Sequence, residues 1–154
     1  MYHLKTADQG VLRVLCCAAS SRMELESALT RERIHVYHLS TVEIVSVESL
    51  LWSMLKCFEV RGIHSLVGVS FDGVSDFAWQ ALMGLDNDVV AVLIHDSDQI
   101  VRERLQLFFD CVDFLLRLSS IVEGQEYAPP CHPVFLRVIA LGEGPSFPPW
   151  GTVE

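Results

Sequence analysis

An α/β fold with a small, all-parallel sheet is the architecture this sequence predicts. Three observations carry it. Short apolar runs alternate with helical stretches in the order β-α-β-α-α-β-α-β. One run, Val89 to Ile94, is apolar at every position, as a central strand covered on both faces must be. Successive runs are separated by helices, and strands joined through helices pair in parallel with right-handed crossovers.

Val11 to Ala19 is mostly apolar and short, the pattern of a buried strand. Ser21-Arg22-Met23-Glu24 reads as a capping box, and Leu25, Ala28 and Leu29 give the next helix an apolar side to about Arg31. Ile34 to Leu39 alternates Ile34, Val36, Tyr37 and Leu39 with His35 and His38, a second strand whose two histidines point to opposite faces. Ser46 caps a helix in which Val47, Leu50, Leu51, Met54, Leu55 and Phe58 recur at i, i+3, i+4, i+7, i+8 and i+11. Gly62 stops it. Arg61 to Ser75 reads as a loop, with room for a short strand between Ser65 and Phe71. Asp76 to Leu82 is a short helix ended by Gly84. After the Val89–Ile94 strand, Ser97 or Asp98 caps a helix that turns Val101, Leu105, Phe108, Val112 and Leu115 toward a core as far as about Ser120. Gly124 to Pro133 is a turn-rich connection and Phe135 to Leu141 a last strand. Residues 142–154, with Pro145, Pro148 and Pro149, form a tail.

The length of 154 residues predicts one domain. Hydrophobic residues make up 51%, which excludes a disordered chain. Twenty acidic residues against 11 basic ones leave a net charge of −9. That balance argues against direct nucleic-acid binding and against an anionic membrane surface, and it favours a basic partner. No run reaches the ~18 apolar residues of a membrane span. Asp8 before the first apolar run and Arg13 inside it argue against a signal peptide. The five cysteines are odd in number, lack a Cys-x-x-Cys pair and mostly sit in apolar runs. Reduced thiols in a cytoplasmic protein account for them.

Three segments have the residue types of chemistry. His95-Asp96-Ser97-Asp98 follows the strongest strand, where phosphotransferases of the haloacid dehalogenase type place a nucleophile and a Mg²⁺ ligand. That chemistry also needs a downstream lysine, and Lys5 and Lys56 both lie upstream. Asp110 and Asp113 are helical neighbours rather than a second acidic pair. Helix capping accounts for the motif. Cys131-His132 are adjacent, so in an extended segment their side chains point apart and make no nucleophile–base pair. The six histidines show no metal-ligand spacing, and no metal or other cofactor is expected.

The third segment runs from Phe71 to Gly84. Phe71, Gly73 (shifted by one position), Asp76, Trp79, Leu82 and Gly84, followed at once by an apolar strand, resemble the barstar family of ribonuclease inhibitors. Leu105-Gln106-Leu107-Phe108 is similar to that family's last helix, and Phe135–Leu141 to its last strand. The resemblance covers Ile34 to Leu141. It implies a barstar-like sheet flanked by helices, with residues 1–33 as an added strand–helix unit and 142–154 as a tail. It also implies a cytoplasmic immunity protein, not an enzyme, that blocks the active site of a basic nuclease toxin. The contact residues it implies are Phe71, Asp72, Asp76, Trp79, Gln80 and Asp110. Gln80 departs from the pattern, which has an acidic residue there. A neutral amide cannot pair with an arginine cluster as a carboxylate does, so the family's usual target is in doubt. Two alternatives stand beside this reading: a small phosphoryl-transfer enzyme using Asp96 and Asp98, or a non-inhibitory binding domain on the same fold. Oligomeric state stays open.

Overall fold

The computed structural model describes residues 14–124 and 133–151. Among them are the strands β1 (Val14–Ala18), β2 (His35–Ser40), β3 (Val89–His95) and β4 (Phe135–Gly142). The helices are α1 (Arg22–Arg31), α2 (Val47–Cys57), α3 (Phe71–Met83), α4 (Ser97–Glu103) and α5 (Leu105–Glu123). The first three residues of the predicted opening strand, most of the Gly124–Pro133 connection, with Cys131 and His132, and the last three residues of the tail lie outside the described residues.

The strands form one parallel sheet in the order β1-β4-β3-β2. Right-handedness then dictates where the helices go. From β2 to β3 to β4 the chain steps across the sheet in one direction, and α2, α3 and α5 cover one face. From β1 to β2 it steps the other way, so a right-handed crossover needs α1 on the opposite face. The two cores match this division. Leu39, Val92, Ile94, Leu136 and Val138 pack under α2, α3 and α5. Cys17, Ala91, Leu93, Ile139 and Leu141 pack under Leu25 and Leu29 of α1. β3 alternates strictly between the two, which is why every one of Val89 to Ile94 is apolar.

Local boundaries differ from the expected ones for identifiable reasons. Ser21 does not cap α1 with its side chain; its Oγ accepts the Trp150 N–H at 3.0 Å instead. Ser46 caps α2 as expected, paired with Ser49. Val47, however, is 46% exposed, because it sits in the first turn, ahead of the buried positions Leu50 and Leu51. α2 stops at Cys57, well before Gly62, through Glu59 in the left-handed region (φ 56°). There Val60 N–H reaches back to the Leu55 carbonyl and Glu59 N–H to Lys56, the double bond of a Schellman end.

α3 starts five residues before the expected Asp76, and no strand forms between Ser65 and Phe71. Ser70 Oγ accepts the Gly73 N–H at 3.3 Å, so Gly73 belongs to the first turn rather than to a loop. The helix predicted from Ser97 to Ser120 is two helices. Arg104 leaves the helical region (φ −147°, ψ 60°) and divides α4 from α5. The break resets the buried side. Leu105 is 48% exposed, and Cys111, Phe114, Leu115, Leu118 and Val122 face the sheet. Neither Ser97 nor Asp98 caps α4. The N-cap is Asp96, at φ 55°, while buried Ser97 donates its hydroxyl to the Ile94 carbonyl at 3.0 Å.

The proline-rich end packs on the sheet rather than trailing as a tail. Ala18 N–H donates to the Pro148 carbonyl at 2.9 Å, and Trp150 packs against the α1-side core. Phe147 lies on Gly142, where an added Cβ would come within 2.7–2.9 Å of three ring atoms. Gly142→Ala should therefore displace the ring and cost about 1–3 kcal/mol, as overpacking does. A denaturation midpoint equal to that of the parent chain would show that Phe147 does not seat there.

Cys16, Cys17, Cys57 and Cys111 are unpaired. Burial raises the Cys57 thiol pKa well above its ordinary value and pushes Cys111 up to about 12. Thiol titration of the unfolded chain without reductant should count five free thiols. In the folded chain Cys16, the exposed one, should react before Cys57 and Cys111. A count of three or fewer in the unfolded chain would mean a disulfide.

Candidate functional site

The rotation of α3 about its axis decides which side chains meet solvent. Val74, Ala78 and Leu82 recur at i, i+4 and i+8 and are fully buried. At 100° per residue, Asp72, Asp76 and Gln80 then fall on the opposite side, and all three are exposed. They span about 12 Å of helix. Asp72 stands in the first turn, where the helix dipole favours a carboxylate. Asp76 stands in the second turn and caps nothing. Had the helix begun at Asp76, capping would have explained that carboxylate; the earlier start removes the explanation. Trp79 is half-buried and packs against the core from the flank of α3, so it is partly structural and only partly presented.

α5 lies beside α3. Phe71 opens α3 with its ring 6.2 Å from that of Phe114 in α5, tilted by 46°. Asp110 is one turn before Phe114 and so shares the flank of α5 that meets Phe71. Its Oδ1 accepts a hydrogen bond from Gln106 Nε2 at 3.0 Å. Next to it Phe109 is 54% exposed. Among the described residues no ion pair engages Asp72, Asp76 or Asp110, whereas Asp113 is held by Arg117 at 2.9 Å. Asp72, Asp76 and Gln80 thus form one exposed row, while Phe71 turns round the helix from that row toward Phe114 of α5.

No protein-family model matches this chain, and no curated protein does. The site is accordingly read from its own geometry. An open groove of about 500 Å³ runs between α2 and residues 64–69, lined by Val47, Leu51, Trp52, Leu66 and Val67. Glu48 stands on its wall.

Of the six residues expected at the site, Asp72, Asp76 and Gln80 share one exposed row, Phe71 turns away from it toward Phe114, Asp110 lies on α5 one turn before Phe114, and Trp79 leans inward. Asp96 and Asp98 lie elsewhere, at the carboxyl end of β3. The first is exposed at the N-cap and the second is in the first turn of α4. A polar cluster that sequence reasoning missed stands beside them. It joins His38, His95 and Glu26, whose sequence separations carry no periodic signal. Among the described residues no helix is long and apolar enough to cross a membrane, and no group of three or more ligating side chains could hold a metal ion.

Proposed function

We propose that this chain is a barstar-like inhibitor, a cytoplasmic immunity protein that covers the active site of a basic nuclease toxin with its α3–α5 face. The observation that carries the reading is the outward row of Asp72, Asp76 and Gln80, whose carboxylates no ion pair engages among the described residues. The chain order β2-α2-α3-β3-α4-α5-β4 agrees with the resemblance stated for Ile34 to Leu141. In that frame β1 and α1 are the added unit.

The inhibitor acts by occlusion and needs neither catalysis nor a cofactor. A nuclease active site is lined with cations that hold phosphate. Exposed carboxylates at fixed spacing on a rigid helix can occupy those positions, and an aromatic centre excludes water around them. The net charge of −9 speeds encounter with a cationic enzyme. Gln80 presents a donor and an acceptor where a third carboxylate would otherwise follow in the row, and this selects a target with a matching polar group there.

The test is an RNA-cleavage assay with the basic nuclease encoded in the neighbouring reading frame. Stoichiometric addition of the chain, without metal or cofactor, should abolish cleavage. Undiminished cleavage in the presence of excess folded chain would sink the reading. Mg²⁺-dependent hydrolysis of a generic phosphoester by the chain itself would favour Asp96 and Asp98 instead.

A further inference from the structure

Away from the α3–α5 face, one polar cluster joins three elements at the carboxyl end of the sheet. His38 near the end of β2 and His95 at the end of β3 both project from the α1 side. Their rings stack at 5.1 Å, and Nδ1 of His38 lies 2.9 Å from Nε2 of His95. On the far side of its ring, His38 Nε2 lies 3.3 Å from Oε1 of Glu26, and Arg22 Nε holds the other oxygen of that carboxylate at 3.3 Å. Thr41 ties the same corner by donating its hydroxyl to the His95 carbonyl at 2.6 Å. A continuous chain of Arg22, Glu26, His38 and His95 thus links α1 to β2 and β3.

We propose that the His38–His95 pair is an acid-sensitive latch that ties the carboxyl end of β2 to that of β3, the corner that α1 meets through Glu26. The space between the two ring nitrogens takes one proton. With His38 Nε2–H donating to Glu26, the bond forms when His38 Nδ1 accepts from His95. It also survives one added proton, because Nδ1–H then donates to the His95 lone pair. A second added proton sets N–H against N–H across the same gap. The hydrogen bond becomes a contact between like charges, and the rings must part.

The groups facing the pair set where this happens. From α1, Glu26 favours positive charge and Arg22 opposes it. From the start of α4, Asp96 favours it, and each imidazolium opposes the other. Burial, then Arg22, then His38 hold the His95 pKa below its ordinary value of 6.5. The sign follows. The unfolded chain binds that proton more tightly than the folded one, so this contribution to stability is complete above pH 6.5 and declines as pH falls below it. The latch is closed at neutral pH and opens in acid. It does not depend on the inhibitor reading.

Amide hydrogen exchange on the full chain at pH 7 and pH 5, corrected for intrinsic rates, tests the latch. Protection of residues 38–41 and 95–97 should fall about tenfold relative to α5, about 1.4 kcal/mol in the opening equilibrium. His95→Gln should remove the difference between the two pH values, and His38→Gln should reduce it, because burial and Arg22 still act on His95. Equal losses at this corner and in α5, or an unchanged profile in folded variants, would overturn the latch. Should either variant fail to fold, titration of the ring nitrogens in the parent chain decides. Two coupled steps support the pair, and two independent single steps at the ordinary histidine value reject it.

Discussion

Asp76→Ala should weaken the complex with the cognate nuclease by about 2 kcal/mol or more, the loss typical of a desolvated contact at the centre of an interface. Its own fold should stay within about 0.5 kcal/mol of the parent, because the side chain is exposed and caps nothing. Titration calorimetry for binding and urea denaturation for stability separate the two effects. Trp79→Ala should weaken binding to a similar degree, but its half-buried ring packs on the core, so it will lower stability as well. Asp76 is the cleaner probe. Gln80→Asp then reports on the partner. If Gln80 meets an amide or a backbone group, the new carboxylate is left badly paired and binding weakens. If it meets an arginine, binding tightens and a barnase-like enzyme becomes a possible target. Association should slow as salt rises, since the carboxylates steer a cationic partner. Unchanged binding by all three folded variants would move the inhibitory surface elsewhere.

Leu115→Ala should cost about 2–5 kcal/mol, the second large effect. Leu115 is fully buried in the core that α5 shares with β4 and α3. Truncation removes its transfer energy and leaves a cavity that neighbours at crystal-like density cannot fill. Thermal unfolding should shift down by about 2–4 °C per kcal/mol for a chain of this length. The same change at Leu105, on the exposed side of the break at Arg104, should have little effect on stability. Equal losses at the two positions would contradict the register that the break imposes.

That pair of residues marks the limit of what pattern alone conveys. The apolar spacing along 97–120 supports one continuous helix and places Leu105 inside. Arg104 breaks it at φ −147°, ψ 60°, between residues whose apolar spacing runs on without a gap. α2 was legible in its main features, since Ser46 caps it through bonds to a residue three positions on and its buried row repeats within two turns. β3 was legible because burial on two faces leaves no polar position. The start of α3 was not, because Ser65, Ser70 and Ser75 are all plausible caps beside glycines. Only the fit of Val74, Ala78 and Leu82 against the sheet and of Phe71 against Phe114 selects Ser70.

The sequence by itself determined the α/β class, the parallel pairing and the central strand, because each follows from residue type and local period. Tertiary structure decided that β1 lies beside β4, that α1 takes the opposite face, that the proline-rich end seats on Gly142, and that His38 meets His95. Strand order, and with it the face each helix takes, is set by which edges are free and which faces need covering. Those conditions arise between residues far apart in the chain, where no periodic signal reaches.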